Sequence, residues 1–91
     1  MEWVGPANKI WSDRQCNNVG NFNNITLDEC KDRCRSTKGC TAFNRRPDRP
    51  GETQGCALRA CSLPVAPPKW NYLNDEGYYL VPRKMKTQLD F

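Results

Sequence analysis

Apolar positions in this chain come in short bursts separated by polar, glycine-rich and proline-rich stretches, and one burst carries a helical period. It begins at Thr26. Thr26-Leu27-Asp28-Glu29 has the form of a capping box, with Thr26 as N-cap and Glu29 at N3 reaching back to the free backbone amide. Leu27, Cys30 and Cys34 then share one face, while Lys31, Asp32 and Arg35 fall largely outside it. Asp28 and Glu29 complement the positive end of the helix dipole, and Arg33, Arg35 and Lys38 the negative end. Gly39 is a natural stop. The pattern predicts one helix whose two thiols can both be tied to what packs beneath it.

The other bursts read as strands. Cys40-Thr41-Ala42-Phe43 is β-branched and aromatic, and Gly77-Tyr78-Tyr79-Leu80-Val81 is the last such run. In Cys56–Cys61, Ala57, Arg59 and Cys61 alternate with Cys56, Leu58 and Ala60, which suits a strand with one buried face. Residues 1–15 set Trp3, Ile10 and Trp11 among polar and turn-forming residues, predicting an extended N-terminal segment with a short strand near Lys9–Arg14. Asn17–Asn24 is rich in Asn and Gly and reads as a loop, and Asn44–Gly55 as a long polar loop that its prolines keep out of a strand interior. Pro64, Pro67 and Pro68 enforce another. No repeat or linker divides the chain. The expected organisation is an N-terminal extension over 1–9, one domain over 10–81, and a basic, poorly ordered tail over 82–91.

Composition places this pattern outside the cell. With 91 residues, 37% apolar, a core alone supplies only a few kcal/mol of stability, and seven prolines with six glycines require extensive loops. Six cysteines in so short a chain imply an oxidising compartment and three disulfides, each worth about 2–4 kcal/mol. Reduced cytosolic thiols are the competing reading. No apolar run approaches the roughly 20 residues of a membrane span, and no signal-peptide core follows Met1, so a mature fragment of a longer precursor is expected. The sequon Asn24-Ile25-Thr26 makes Asn24 a candidate glycosylation site.

Chemistry narrows the picture by what is missing. The chain has no histidine, which removes the usual general base, the Ser-His and Cys-His nucleophile pairs and His-containing zinc sites. Its paired acids, Asp28/Glu29 and Asp75/Glu76, are explained by capping and turns, so no catalytic residue and no cofactor is expected. Cys30-x3-Cys34 and Cys56-x4-Cys61 superficially match zinc knuckles, but two cysteines are left over, and disulfides are the preferred reading. Phe43, Trp70, Tyr72, Tyr78 and Tyr79 cluster away from the arginines in sequence, which argues against nucleic acid.

The net charge is +4, and the middle third holds eight bases against five acids. A solvated mixed-charge surface explains this balance; a patch for a sulfated glycan or an acidic protein is the sharper reading. The ligand-binding candidates are Lys31, Arg33, Arg35 and Lys38 on the helix and Arg45, Arg46 and Arg49 on the following loop, because guanidinium forks suit sulfate and carboxylate. For the helix residues, dipole complementation and solubility form the alternative account. Trp70 and Tyr72 are placed either to stack on a sugar ring or, for Trp70, to cover the core edge.

Leu27-Asp28-Glu29-Cys30-Lys31-Asp32-Arg33-Cys34, then Gly39-Cys40-Thr41-Ala42-Phe43, a loop, and Gly55-Cys56-Ala57-Leu58 together resemble the PAN/apple superfamily. The core of the match is Thr26–Leu58, with flanking strands extending it from about Ile10 to Val81. The resemblance implies an α+β, small disulfide-rich domain with one α-helix packed on a curved, mainly antiparallel β-sheet. Six cysteines allow fifteen connectivities. Within these, the resemblance implies Cys30–Cys56 and Cys34–Cys40, with Cys16–Cys61 remaining. Apple domains place the last cysteine nearer the C-terminal strand, whereas Cys61 follows Cys56 closely. The function implied is a non-catalytic extracellular interaction module for protein–protein recognition within a larger secreted or cell-surface protein. Binding of a heparin-like or other glycan is the alternative. A secreted inhibitor or toxin-like effector fits the scaffold but lacks a recognisable reactive loop.

Overall fold

The capping box forms. In a computed structural model describing residues 2–46, 54–71 and 75–81, the Glu29 amide donates to Thr26 Oγ1 at 3.1 Å and the Thr26 amide to Glu29 Oε1 at 3.2 Å. The helix α1 runs Leu27–Ser36 with Thr37 as C-cap, and Gly39 takes φ 84°, a left-handed conformation that a side chain would resist. Cys30 and Cys34 are fully buried, and Leu27 packs against the same cluster. Arg49, Tyr72 and the tail 82–91 lie outside the described residues.

Five strands build one sheet: β1 (Glu2–Ala7), β2 (Asn17–Ile25), β3 (Ala42–Arg45), β4 (Gln54–Ala60) and β5 (Glu76–Val81). Their order is β1-β5-β3-β4-β2, and every pairing is antiparallel. The protein is therefore a small α+β domain with one helix, an antiparallel sheet and three disulfides. These link Cys16–Cys61, Cys30–Cys56 and Cys34–Cys40, the pairs named above, with Cα atoms 4.8, 6.1 and 5.2 Å apart. The second of them fastens the helix directly to β4.

Both sheet edges depart from the sequence reading. Residues 2–7, assigned to an extension, are the edge strand β1, where Trp3 opposes Leu80 and Val4 opposes Tyr79. The pairing is with the far end of the chain, and Gly5-Pro6 interrupts the local alternation that would have announced it. Asn17–Asn24, read as a loop, lies in the nine-residue strand β2 at the other edge. Register shifts between Asn18 and Gly20 and between Phe22 and Ile25 accommodate its Asn and Gly residues. Asn24 has φ 57°, a left-handed conformation Asn tolerates better than most residues. Near Lys9–Arg14 there is only one isolated bridge, between Ile10 and Trp70.

The sheet is covered on both faces. Under the helix, Phe43 and Leu58 meet Cys30, Cys34, Cys40, Cys56 and Ile25, with Trp3, Phe22 and Tyr78 at the margin. Phe43 stacks on Tyr78 at 5.0 Å and meets Trp3 edge-on at the same distance. On the opposite face, residues 8–16 and 61–71 form a layer without helix or strand, centred on Trp11. The Trp11 indole is fully buried and its Nε1 donates to the Ala66 carbonyl at 2.8 Å. Cys16–Cys61 closes this layer beneath the sheet. Its presence corrects the one-sided reading of Cys56–Cys61: Arg59 and Cys61 are buried as well as Cys56 and Leu58.

Candidate functional site

The second layer covers only part of its face, and β2, β3 and β4 leave a groove of about 360 Å³ beside it. Strand alternation supplies the lining. Asn21 pairs with Ala57, and Ala57 in turn lies opposite Asn44, so these three side chains share the face away from the helix. Asn23 and Gly55 extend the floor, Arg46 and Asp75 form one wall, and Ile10 and Trp70 the other. Trp70 is 42% exposed, although its main chain is fixed by two hydrogen bonds to Ile10, of 2.9 and 3.1 Å.

Asn44 anchors the groove floor. It is buried, and its amide serves the Trp11 main chain in both directions: Trp11 N donates to Oδ1 at 3.0 Å, and Nδ2 donates to the Trp11 carbonyl at 2.7 Å. Arg46 Nε donates to Asp75 Oδ1 at 3.3 Å, so the charged wall is internally balanced. Asn21 exchanges amide hydrogen bonds with Asn18 along the exposed strand, at 3.0 and 3.3 Å. The Arg59 guanidinium, at the inner end, pairs with the Asp13 carboxylate and donates to the Cys16 carbonyl.

The six basic candidates among the described residues do not converge. Lys31, Arg33 and Arg35 lie on α1, across the sheet from Arg46, whereas Lys38, read as a helix residue, falls in the turn beyond the C-cap Thr37. Arg33 sits over the Phe22 ring at 5.1 Å, and Arg35 over Trp3 at 5.7 Å while pairing with Asp32 at 3.2 Å. Both therefore extend the apolar cover of the helix-side core. Arg45 is no surface residue. Alternation turns it to the helix side, where it is buried and its Nη2 donates to the Ile25 carbonyl at 3.1 Å. Asn44 and Arg45, assigned to a loop, belong to β3, and only Arg46 of the described loop candidates reaches the groove. The groove asparagines escaped the sequence reading because Asn17–Asn24 carries no strand signature.

Asn24 is exposed at the end of β2, and Thr26 of its sequon serves as the helix cap. All six sulfurs are in disulfides, and no three acids or cysteines gather as a metal-holding group among the described residues. Among the described residues, Tyr78 is the side chain whose proton affinity its surroundings clearly move. Burial, and then the neighbouring Glu76 carboxylate, raise its phenol above the ordinary tyrosine value. It lies on the helix side, away from the groove.

Comparisons with protein-family models, curated proteins and solved structures return no match for this chain.

Proposed function

We propose that this chain is a non-catalytic recognition module of the PAN/apple kind, working outside the cell as part of a larger secreted or surface protein and binding a partner through the groove opposite its helix. The single observation that carries the reading is a preformed recess of about 360 Å³ on a sheet fixed by three disulfides. Such a recess binds with little ordering cost, because its floor strands are held before the partner arrives. Three disulfides, and the lack of any helix among the described residues long and apolar enough to cross a membrane, are compatible with secretion. The helix bearing Cys30 and Cys34, with Cys30 tied to the strand that carries Cys56, supports the family resemblance.

A sulfated-glycan site built from the helix and loop cations has less support. That reading needs converging guanidinium groups, and Arg33 and Arg35 lie over aromatic rings while Arg45 is buried.

The test uses the oxidised domain fused to a dimeric carrier and applied to cells and secreted proteins of the source organism. Saturable binding, competed by free domain, is expected. Ala57→Arg, which puts a long side chain into the groove, should abolish it. Retained binding by a correctly disulfide-bonded Ala57→Arg variant, or no competable binding at all, would overturn the proposal.

A further inference from the structure

One charged group in the groove lining has donors to spare. Arg59 is buried and lines the recess on the same face of β4 as Ala57. Its Nη1 carries both of its side-chain hydrogen bonds, to the Asp13 carboxylate and, at 3.3 Å, to the Cys16 carbonyl. Nε is buried with no partner among the described residues, and Nη2 makes no hydrogen bond to any of them. Those two nitrogens share one edge of the planar guanidinium, with parallel N–H bonds, while Nη1 lies on the other side. The fork that fits an oxyanion bidentately is therefore intact and unused. A buried donor without an acceptor destabilises the fold, so the site favours whatever supplies one.

Charge around the recess narrows what that is. Arg46 and Arg59 line it together with Asp75, which Arg46 already holds at 3.3 Å. The counter-charge of Arg59 is Asp13, whose side chain is 82% exposed against 8% for the arginine. Solvent therefore screens the anion far more than the cation, and the inner end is left electropositive.

We infer that the Arg59 end of this groove binds a small organic acid, its carboxylate seated on the Nε–Nη2 edge of the guanidinium. The small side chain of Ala57 leaves room beside Arg59 for the body of such an acid, and Ile10 and Trp70 give that space an apolar wall. A volume of about 360 Å³ lies at the small end of the range for small-molecule sites, roughly 300–1,000 Å³. One negative charge is what the surroundings accept, because Asp13 and Asp75 border the site and repel a second. A carboxylate carried mid-chain by a polymer would have to bring its backbone to a buried arginine, whereas a free acid enters whole.

This site shares the groove with the recognition reading but needs no macromolecular partner. The test titrates the oxidised domain, isotope-labelled for NMR, with benzoate, and with benzamide and inorganic phosphate for comparison. The Arg59 Nε–H resonance should shift saturably with benzoate, with a dissociation constant in the roughly millimolar range expected of so few atoms. Benzamide, the same body without the charge, should leave it in place, and phosphate should bind more weakly than benzoate. Arg59→Lys keeps the charge but loses the fork, and should weaken binding by about tenfold, read on the Ala57 amide. Because Arg59 is buried, Asp13→Asn serves as a second variant at an exposed position; removing the competing anion should tighten binding by about threefold.

Absence of a saturable shift, benzamide binding as well as benzoate, phosphate binding as tightly as benzoate, undiminished binding by folded Arg59→Lys, or weaker binding by Asp13→Asn would each overturn the inference. The two proposals fail separately. Cell binding lost in Ala57→Arg, without benzoate binding, removes the acid site and keeps the recognition module. Benzoate binding without competable cell binding does the reverse.

Discussion

Three single residues set how closely the layers approach. Gly77 is buried on β5 under Trp11. A Cβ there would lie 2.6 Å from the Lys9 carbonyl oxygen and 2.7 Å from Trp11 Cζ3, neither a flexible side-chain end. Asn44 holds the same tryptophan from the neighbouring strand through both polar atoms of its amide. Arg59 fills the inner end, its charge met by Asp13 and its burial made tolerable by the Cys16 carbonyl. Overpacking of this kind costs about 1–3 kcal/mol. Gly77→Ala should therefore lower the unfolding free energy of the oxidised domain by that amount, seen as a lower urea midpoint, and raise the accessibility of Trp11 to a fluorescence quencher. An unchanged midpoint would mean that the Trp11 layer shifts freely over the sheet.

At the scale of elements, α1 is short and depends on its ends. Ten residues are too few for an isolated helix to persist in water. Its capping box, the Arg33 carbonyl accepting from Thr37 Oγ1 at 2.7 Å and the disulfide to β4 compensate. Thr26→Ala should cost about 1 kcal/mol. Because Thr26 and Glu29 satisfy each other's backbone amides, the double variant with Glu29→Ala should cost less than the sum of the singles, by a few tenths of a kcal/mol or more, in a urea-denaturation cycle. Strict additivity would show that the reciprocal box contributes nothing beyond its separate bonds. The capping box, its dipole-complementing charges and its buried cysteine face were all legible in the sequence, since each depends on neighbours within one helical turn. The edge strands were not. β1 and β2 find their partners in β5 and β4, far along the chain, and an edge strand needs only one inward-facing side chain per pair of residues.

The whole molecule is held by cross-links of unequal reach. Cys34–Cys40 closes 6 residues, Cys30–Cys56 closes 26 and Cys16–Cys61 closes 45. In the chain-entropy account these restrict the unfolded state by about 2, 3.5 and 4 kcal/mol respectively. Paired Cys→Ala removal should therefore destabilise least at Cys34/Cys40 and most at Cys16/Cys61, measured by urea unfolding of otherwise oxidised protein. The reverse order would point to native packing, rather than the unfolded chain, as the seat of the stabilisation. Cys16–Cys61 also holds the coil layer that bounds the groove, so its loss should weaken ligand binding more than the loss of Cys34–Cys40 does.

The sequence by itself determined the helix, its start, the oxidising chemistry of the six cysteines, and three of the strand cores. Local periodicity and capping act over a few residues, and no distant contact is needed to read them. Tertiary structure alone decided which side of the sheet Arg45 and Arg46 occupy. Arg45 and Arg46 are adjacent in sequence, yet strand alternation sends one into the helix-side core and the other into the groove. It also decided that the second face carries a coil layer around Trp11, and that Asn21, Asn23, Ala57 and Trp70 meet. These residues come from three separate stretches of the chain and have no shared pattern. Only the pairing of β2, β3 and β4, together with the Ile10–Trp70 bridge, brings them to one recess.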